Sequence, residues 1–180
     1  MYEPYITDFT MNIHNKILNN YISNIKDISD YVYAVNNIDE YPLNERGNIL
    51  FNLGGVLNHQ LFFSILGQGE MSEQFKNKII EDFGSVSNFK EEFIKNANYV
   101  VGSGYTFLVL NKDNKLEIIN TSNEDTPYSY GLKPIMNLDL WEHAYFLDYQ
   151  NNKTDYINNF FSIVDFNKVS KIYEEIQKNI

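Results

Sequence analysis

The segment from about residue 45 to 66 sets the first condition on the fold. Ile49, Leu50, Phe51, Leu53, Val56, Leu57, Leu61, Phe62, Phe63, Ile65 and Leu66 leave almost no polar face at helical spacing. A helix apolar nearly all round has to be buried on several sides. Gly54-Gly55 falls in its middle, costing roughly 1 kcal/mol per glycine relative to alanine, so another part of the chain is expected to press close there. Upstream, Ile13, Ile17, Leu18, Tyr21, Ile22 and Ile25 form the apolar stripe of a helix that Thr10 would cap. Residues 35–47 are polar, contain Pro42 and read as a loop. The two helices predict a long α-hairpin.

Gly67-Gln68-Gly69 marks a boundary between an N-terminal α-hairpin domain (1–68) and a C-terminal domain (69–180). Helices are expected at about 72–83 and 87–100, the second capped by Ser87. Strands at 105–110 and 116–120 alternate around a hairpin turn at 111–114, and a third strand is expected at 135–139. Further helices close the chain, the last capped by Asp165. Helices, then strands, then helices define an α+β protein with a small three-stranded antiparallel sheet flanked by helices.

Function classes narrow with the charge and the cysteine count. The formal net charge of −10 disfavours nucleic acid and anionic membranes, whose phosphates call for Lys and Arg. With no cysteine, disulfides, thiolate metal sites and cysteine nucleophiles are excluded. The opening residues Met1-Tyr2-Glu3-Pro4-Tyr5 lack a basic stretch followed by an apolar run, and no apolar run approaches a membrane span. The expectation is a soluble, cytoplasmic protein.

The chemistry gathers in Asp139-Leu140-Trp141-Glu142-His143-Ala144-Tyr145, which holds the single Trp and one of three His. If a strand ends at Asp139 and a helix begins near Trp141, carboxylate and imidazole converge on one ion, a donor pair suited to manganese, iron or zinc rather than copper(I). His14 and His59 sit within the two N-terminal helices. Each alone reads as a structural histidine satisfied by core hydrogen bonds. Taken together, a hairpin could deliver both to the edge that meets His143, and three His with one Asp leave a position open for water.

These stretches resemble the iron/manganese superoxide dismutase family over nearly the whole chain. Thr10-Met11-Asn12-Ile13-His14 is similar to the family's first ligand motif, and Asn52-Leu53-Gly54-Gly55-Val56-Leu57-Asn58-His59 to its second. Asp139 to Tyr145 matches the D-x-W-E-H-A-Y signature. The resemblance implies His14, His59, Asp139 and His143 as ligands of one manganese or iron ion per subunit, with solvent as a fifth ligand. It implies superoxide as substrate, a homodimer or homotetramer, and alternating reduction and oxidation of the metal. Tyr21 would be the gateway tyrosine of the proton relay. Glu142 would reach the partner's ligand histidine across the dimer interface. Trp141, Phe63, Tyr105 and Phe107 would form an aromatic wall.

The departures from the family pattern are specific. His14 and Tyr21 are seven residues apart where eight is usual, so either Tyr21 leaves its place or a helix bulge is absent. Ile17 or Leu18 stands where the family has a histidine, and Phe146 replaces an interface tyrosine, which makes the gate more apolar. Asn152-Lys153 replaces a pair of arginines. Asn123-Glu124-Asp125 carries Glu where manganese enzymes have a solvent-bonding Gln, and Gly55 offers no substitute from the helix. An ionised Glu124 can only accept hydrogen bonds, whereas a protonated one can donate. The alternative to a working dismutase is a catalytically impaired metal-binding or structural homologue.

Overall fold

The structure, a computed structural model, describes residues 2–179. Its first long helix, α1 (Asp8–Asn24), is capped by Thr7, whose Oγ1 accepts from the Thr10 amide at 3.3 Å. Thr10, the expected cap, is instead buried one turn inside. The stretch expected as a loop is partly helical: α2 (Tyr31–Asn36) starts at the Asp30 cap, and a 3₁₀ turn spans Ile38–Glu40. The apolar segment forms α3 (Arg46–Ser64).

α1 and α3 run antiparallel, because rising positions on one meet falling positions on the other. His14 lies near His59, the Tyr21 ring covers Gly55, and Asn24 donates to Asn52 at 2.8 Å. The all-round apolar character of α3 is used on two sides. Leu53 and Val56 pack with Ile25, Ala34 and Val35, while Phe62 enters the main core. That core is completed by α4 (Glu73–Phe83), α5 (Val86–Tyr99), the sheet and the closing helices. Gly84 at φ +81 ends α4, and Ser85 caps α5 rather than the expected Ser87. The polar turn chemistry thus sits two residues earlier than the apolar pattern suggested.

The sheet has the order β2-β1-β3, all antiparallel, from β1 (Gly104–Leu110), β2 (Leu116–Ser122) and β3 (Lys133–Asp139). The central strand is buried throughout, with Tyr105, Phe107 and Val109 on one face and Leu108 and Leu110 on the face of the main core. Its register sets Tyr105 directly opposite Asp139 at the end of β3. Three helices follow: α6 (Glu142–Tyr149), α7 (Lys153–Asn159) and α8 (Phe166–Lys178), the last capped by Asp165. The 65–69 segment is stitched to the start of α8: Gly67 donates to the Ile163 carbonyl and Asp165 to that of Ile65, both at 2.8 Å. Among the described residues, no helix is long and apolar enough to cross a membrane.

Candidate metal centre

Four elements each deliver one side chain to a single point. His14 comes from α1, His59 from α3, Asp139 from the end of β3 and His143 from the first turn of α6, and their donor atoms all lie within 4.8 Å of one another. The Asp139 carboxylate is divided: Oδ1 accepts from the Trp141 amide at 2.8 Å, leaving Oδ2 facing the histidines. Oδ2 stands 3.0 Å from His14 Nε2, 3.3 Å from His143 Nε2 and 3.6 Å from His59 Nε2. The Tyr156 hydroxyl donates to the Asp139 carbonyl at 2.9 Å and fixes the strand end from below.

The donor chemistry fits a cation. His59 Nδ1 lies 2.7 Å from the Gly55 carbonyl, which only accepts, so that nitrogen carries the proton and Nε2 turns a lone pair inward. His143 Nε2 faces it at 3.3 Å. Separations from 3.0 to 3.6 Å match those of ligands about 2.1 Å from a common ion at roughly 90° to 120°. Burial drives the pKa of His14 down, and that of His59 down to about 4, against the pull of Asp139. Burial alone would raise Asp139, but its hydrogen bonds with His14 and His143 hold it far below the usual carboxylate range. Both imidazoles are therefore neutral and the carboxylate ionised at neutral pH, the state a metal requires.

Beside the cluster lies a second one built on Glu124. The turn that carries it has Asn123 at φ 51, a conformation asparagine tolerates, and sends the Glu124 side chain inward to 1% exposure. Tyr21 donates to its Oε1 at 2.9 Å, Tyr105 to its Oε2 at 3.0 Å, and Asn58 Nδ2 approaches Oε2 at 3.4 Å. Burial and the charge of Asp139 push the Glu124 pKa up to about 8, against these hydrogen bonds.

Tyr21 reaches this place from a continuous α-helix. Seven residues turn such a helix by about 700°, so Tyr21 stands within roughly 20° of His14 on one face, and no bulge is required. Its ring lies 5.3 Å from that of His59. Of the aromatic residues singled out, Phe63 lies against His14 at 4.8 Å, Trp141 stacks on His143 at 5.6 Å, and Tyr105 meets His59 at 6.2 Å. Phe107 packs on Tyr105 at 5.7 Å, one layer back. Phe62, against His14 at 5.3 Å, belongs to the wall, although its sequence reads only as core. Glu142 and Phe146 are exposed on α6. Neither the Tyr156 contact nor the hydroxyl role of Tyr105 carries a sequence signal beyond the aromatic residue itself.

Four side chains able to hold a metal ion, drawn from an α-hairpin and from a strand-to-helix junction, define a helix-and-sheet protein with a candidate metal centre. Comparison with known proteins gives the family. Residues 1–67 match the iron/manganese superoxide dismutase α-hairpin domain, and residues 71–172 match the C-terminal domain of the same enzymes. A superoxide dismutase [Mn/Fe] from Methylomonas sp. (strain J) is 38% identical over 185 residues, covering 96% of this chain and 92% of that protein. The chain belongs to the iron/manganese superoxide dismutase family.

Proposed function

We propose that this chain is a superoxide dismutase, holding one manganese or iron ion on His14, His59, Asp139 and His143. Its reaction turns two superoxide ions and two protons into dioxygen and hydrogen peroxide. The carrying observation is the convergence of four donor atoms within 4.8 Å in a member of this family. When bound, the ion supplies the one-electron couple that the disproportionation needs.

The chain's own residues supply ligands, protons and exclusion of water. The buried donors are held neutral or ionised as a metal requires, and Phe62, Phe63 and Trp141 cover them. Burial and the neighbouring Glu124 raise the Tyr21 pKa well above its ordinary value, so its phenol keeps its proton at the edge of the site. Tyr21 and Glu124 are read as the proton-holding pair. Glu142, exposed in the first turn of α6, is read as reaching the ligand histidine of a second copy in a homodimer or homotetramer. The division into units 1–68 and 69–180 belongs to the same reading, each unit giving two ligands. The reading makes the protein an antioxidant enzyme of the cytoplasm.

The test is dismutation by protein loaded separately with manganese and with iron, each rate corrected for metal content, alongside a native mass measurement. Fast turnover with either metal supports the reading and names the cofactor. Fully metallated protein without turnover would turn it to the impaired homologue.

A further inference from the structure

The peptide that joins Asp139 to Leu140 is held at both of its polar ends. Its carbonyl accepts from the Tyr156 hydroxyl on α7 at 2.9 Å, and its N–H donates to the Gly104 carbonyl at the start of β1, also at 2.9 Å. One anchor belongs to α7, the other to the segment 100–104 that leads from α5 into the sheet. The two anchors grip the peptide only as firmly as they are held to each other.

Lys153 makes that connection. It stands in the first turn of α7, three residues before Tyr156 and so on the same side of the helix, and its Nζ donates to the Val100 carbonyl at 2.6 Å. Thr154 adds a longer contact, its Oγ1 donating to Asn98 Oδ1 at 3.3 Å. A cation in the first turn of a helix sits at the unfavourable end of that helix's dipole, whereas the C-terminal end of α5 is where a cation is favoured. Local preference in α7 therefore does not account for a lysine here, and the contact with α5 does. Burial lowers the Lys153 pKa from its ordinary value, because the ammonium has given up part of its hydration for this carbonyl.

We propose that Lys153 is a positioning residue for Asp139: its ammonium fastens α7 to the Val100 carbonyl, so that Tyr156 and Gly104 grip the Asp139–Leu140 peptide from two sides. The inference rests on the metal-site reading above, in which Asp139 is a ligand. It gives Lys153, one of the two residues that stand in place of a pair of arginines, a task within the chain rather than toward the substrate.

The test uses Lys153→Met, which keeps an apolar stem and removes the ammonium. Amide hydrogen exchange in the metal-free chain, read by NMR, compares Leu140 with the amides of residues 106–108 in the middle of β1. The expected result is a larger acceleration at Leu140 than at the β1 amides. An equal or smaller one would mean a general loss of stability or none, and would overturn the proposal. Manganese affinity, measured by chelator competition, supplies a second readout with a sign of its own. Removing a positive charge by itself favours binding of a dication, whereas loosening Asp139 disfavours it. Affinity is expected to fall about three- to tenfold, at or below the low end of the range for groups bonded to a ligand itself. Unchanged or raised affinity would overturn the proposal. Wild-type protein that binds neither manganese nor iron would overturn the metal-site reading, which the Leu140 exchange, measured without metal, keeps distinct from a failure of the Lys153 link.

Discussion

The carbonyl oxygen of Glu124 packs directly on Gly54, where a β-carbon would collide with it. Gly55, next along α3, faces the Tyr21 ring, and a β-carbon there would stand 2.6 Å from it. The glycine pair therefore admits the two members of the proposed proton-holding pair, Glu124 and Tyr21, one each. The obstructions differ in kind: a backbone carbonyl held by its turn, and a side chain. Gly54→Ala is expected to lower stability by about 2–3 kcal/mol, overpacking outweighing the gain of roughly 1 kcal/mol in helix propensity. Gly55→Ala is expected to cost less and to displace Tyr21 from Glu124. Urea midpoints for both variants decide the order, and a neutral Gly54→Ala would contradict the packing argument.

When ionised, above its raised pKa of about 8, Glu124 receives only donors, from Tyr21, Tyr105 and Asn58. In Glu124→Gln one oxygen becomes an NH₂ group. Asn58 Nδ2 cannot accept, so the new amide keeps its oxygen toward Asn58 and turns its nitrogen toward Tyr21, whose hydroxyl can. Tyr21 then changes from donor to acceptor there, and its own O–H is free to point toward the metal side. Turnover of the metal-loaded variant, compared with the wild type above pH 8 where Glu124 is ionised, is expected to rise, by up to about tenfold, or 1.4 kcal/mol of barrier. Unchanged turnover would mean that Glu124 does not govern proton supply.

Much of this was legible beforehand, for identifiable reasons. The all-round apolar pattern of α3 and its Gly54-Gly55 pair announced multi-sided burial and close approach, and period-two alternation gave the sheet. What failed was local polar chemistry. Thr7 and Thr10, like Ser85 and Ser87, are each plausible caps, and only the geometry of the first turn selects between them. The six residues of α2 are too few to show a period. At the site, the histidines could be found because the chain has only three. The link from Tyr105 to Glu124 could not, because it depends on a strand register and on a turn 19 residues away.

The raised Glu124 pKa gives the metal-free protein a pH dependence with a definite sign. Its folded value, about 8, lies above its ordinary value of 4.5, so the fold favours the protonated form. That contribution is complete below 4.5 and is lost as pH rises through about 8. His59 acts oppositely: its folded value of about 4 lies below 6.5, so its contribution is complete above 6.5 and lost as pH falls through about 4. The two oppose each other between 4.5 and 6.5, leaving 6.5 to 8 as the window for Glu124. There the metal-free protein is expected to lose stability with rising pH, at no more than about 1.4 kcal/mol per unit. Urea midpoints at several pH values across the window, repeated with Glu124→Gln, check this. An identical slope in the variant would assign the effect elsewhere.

The candidate metal site also depends on a contact outside it, between two residues 141 positions apart in the sequence. Asp148, on α6, accepts from the Thr7 amide at 2.9 Å and from the Thr7 hydroxyl at 2.7 Å, clamping the start of α1. Since α1 carries His14 and α6 carries His143, this clamp links the helices of two of the proposed ligands. It also places a carboxylate at the positive end of the α1 dipole, a favourable term of about 0.3–1 kcal/mol. Asp148→Ala removes both bonds and the charge, and is expected to cost about 2 kcal/mol in a partly exposed setting. Asp148→Asn, which keeps one acceptor, should fall between it and the wild type. Manganese affinity should follow the same order as the urea midpoints, because the loosened helices carry the ligands apart. Stability lost with manganese affinity intact would show that the ligand geometry is held by α3 and β3 alone, with no help from the Thr7–Asp148 clamp.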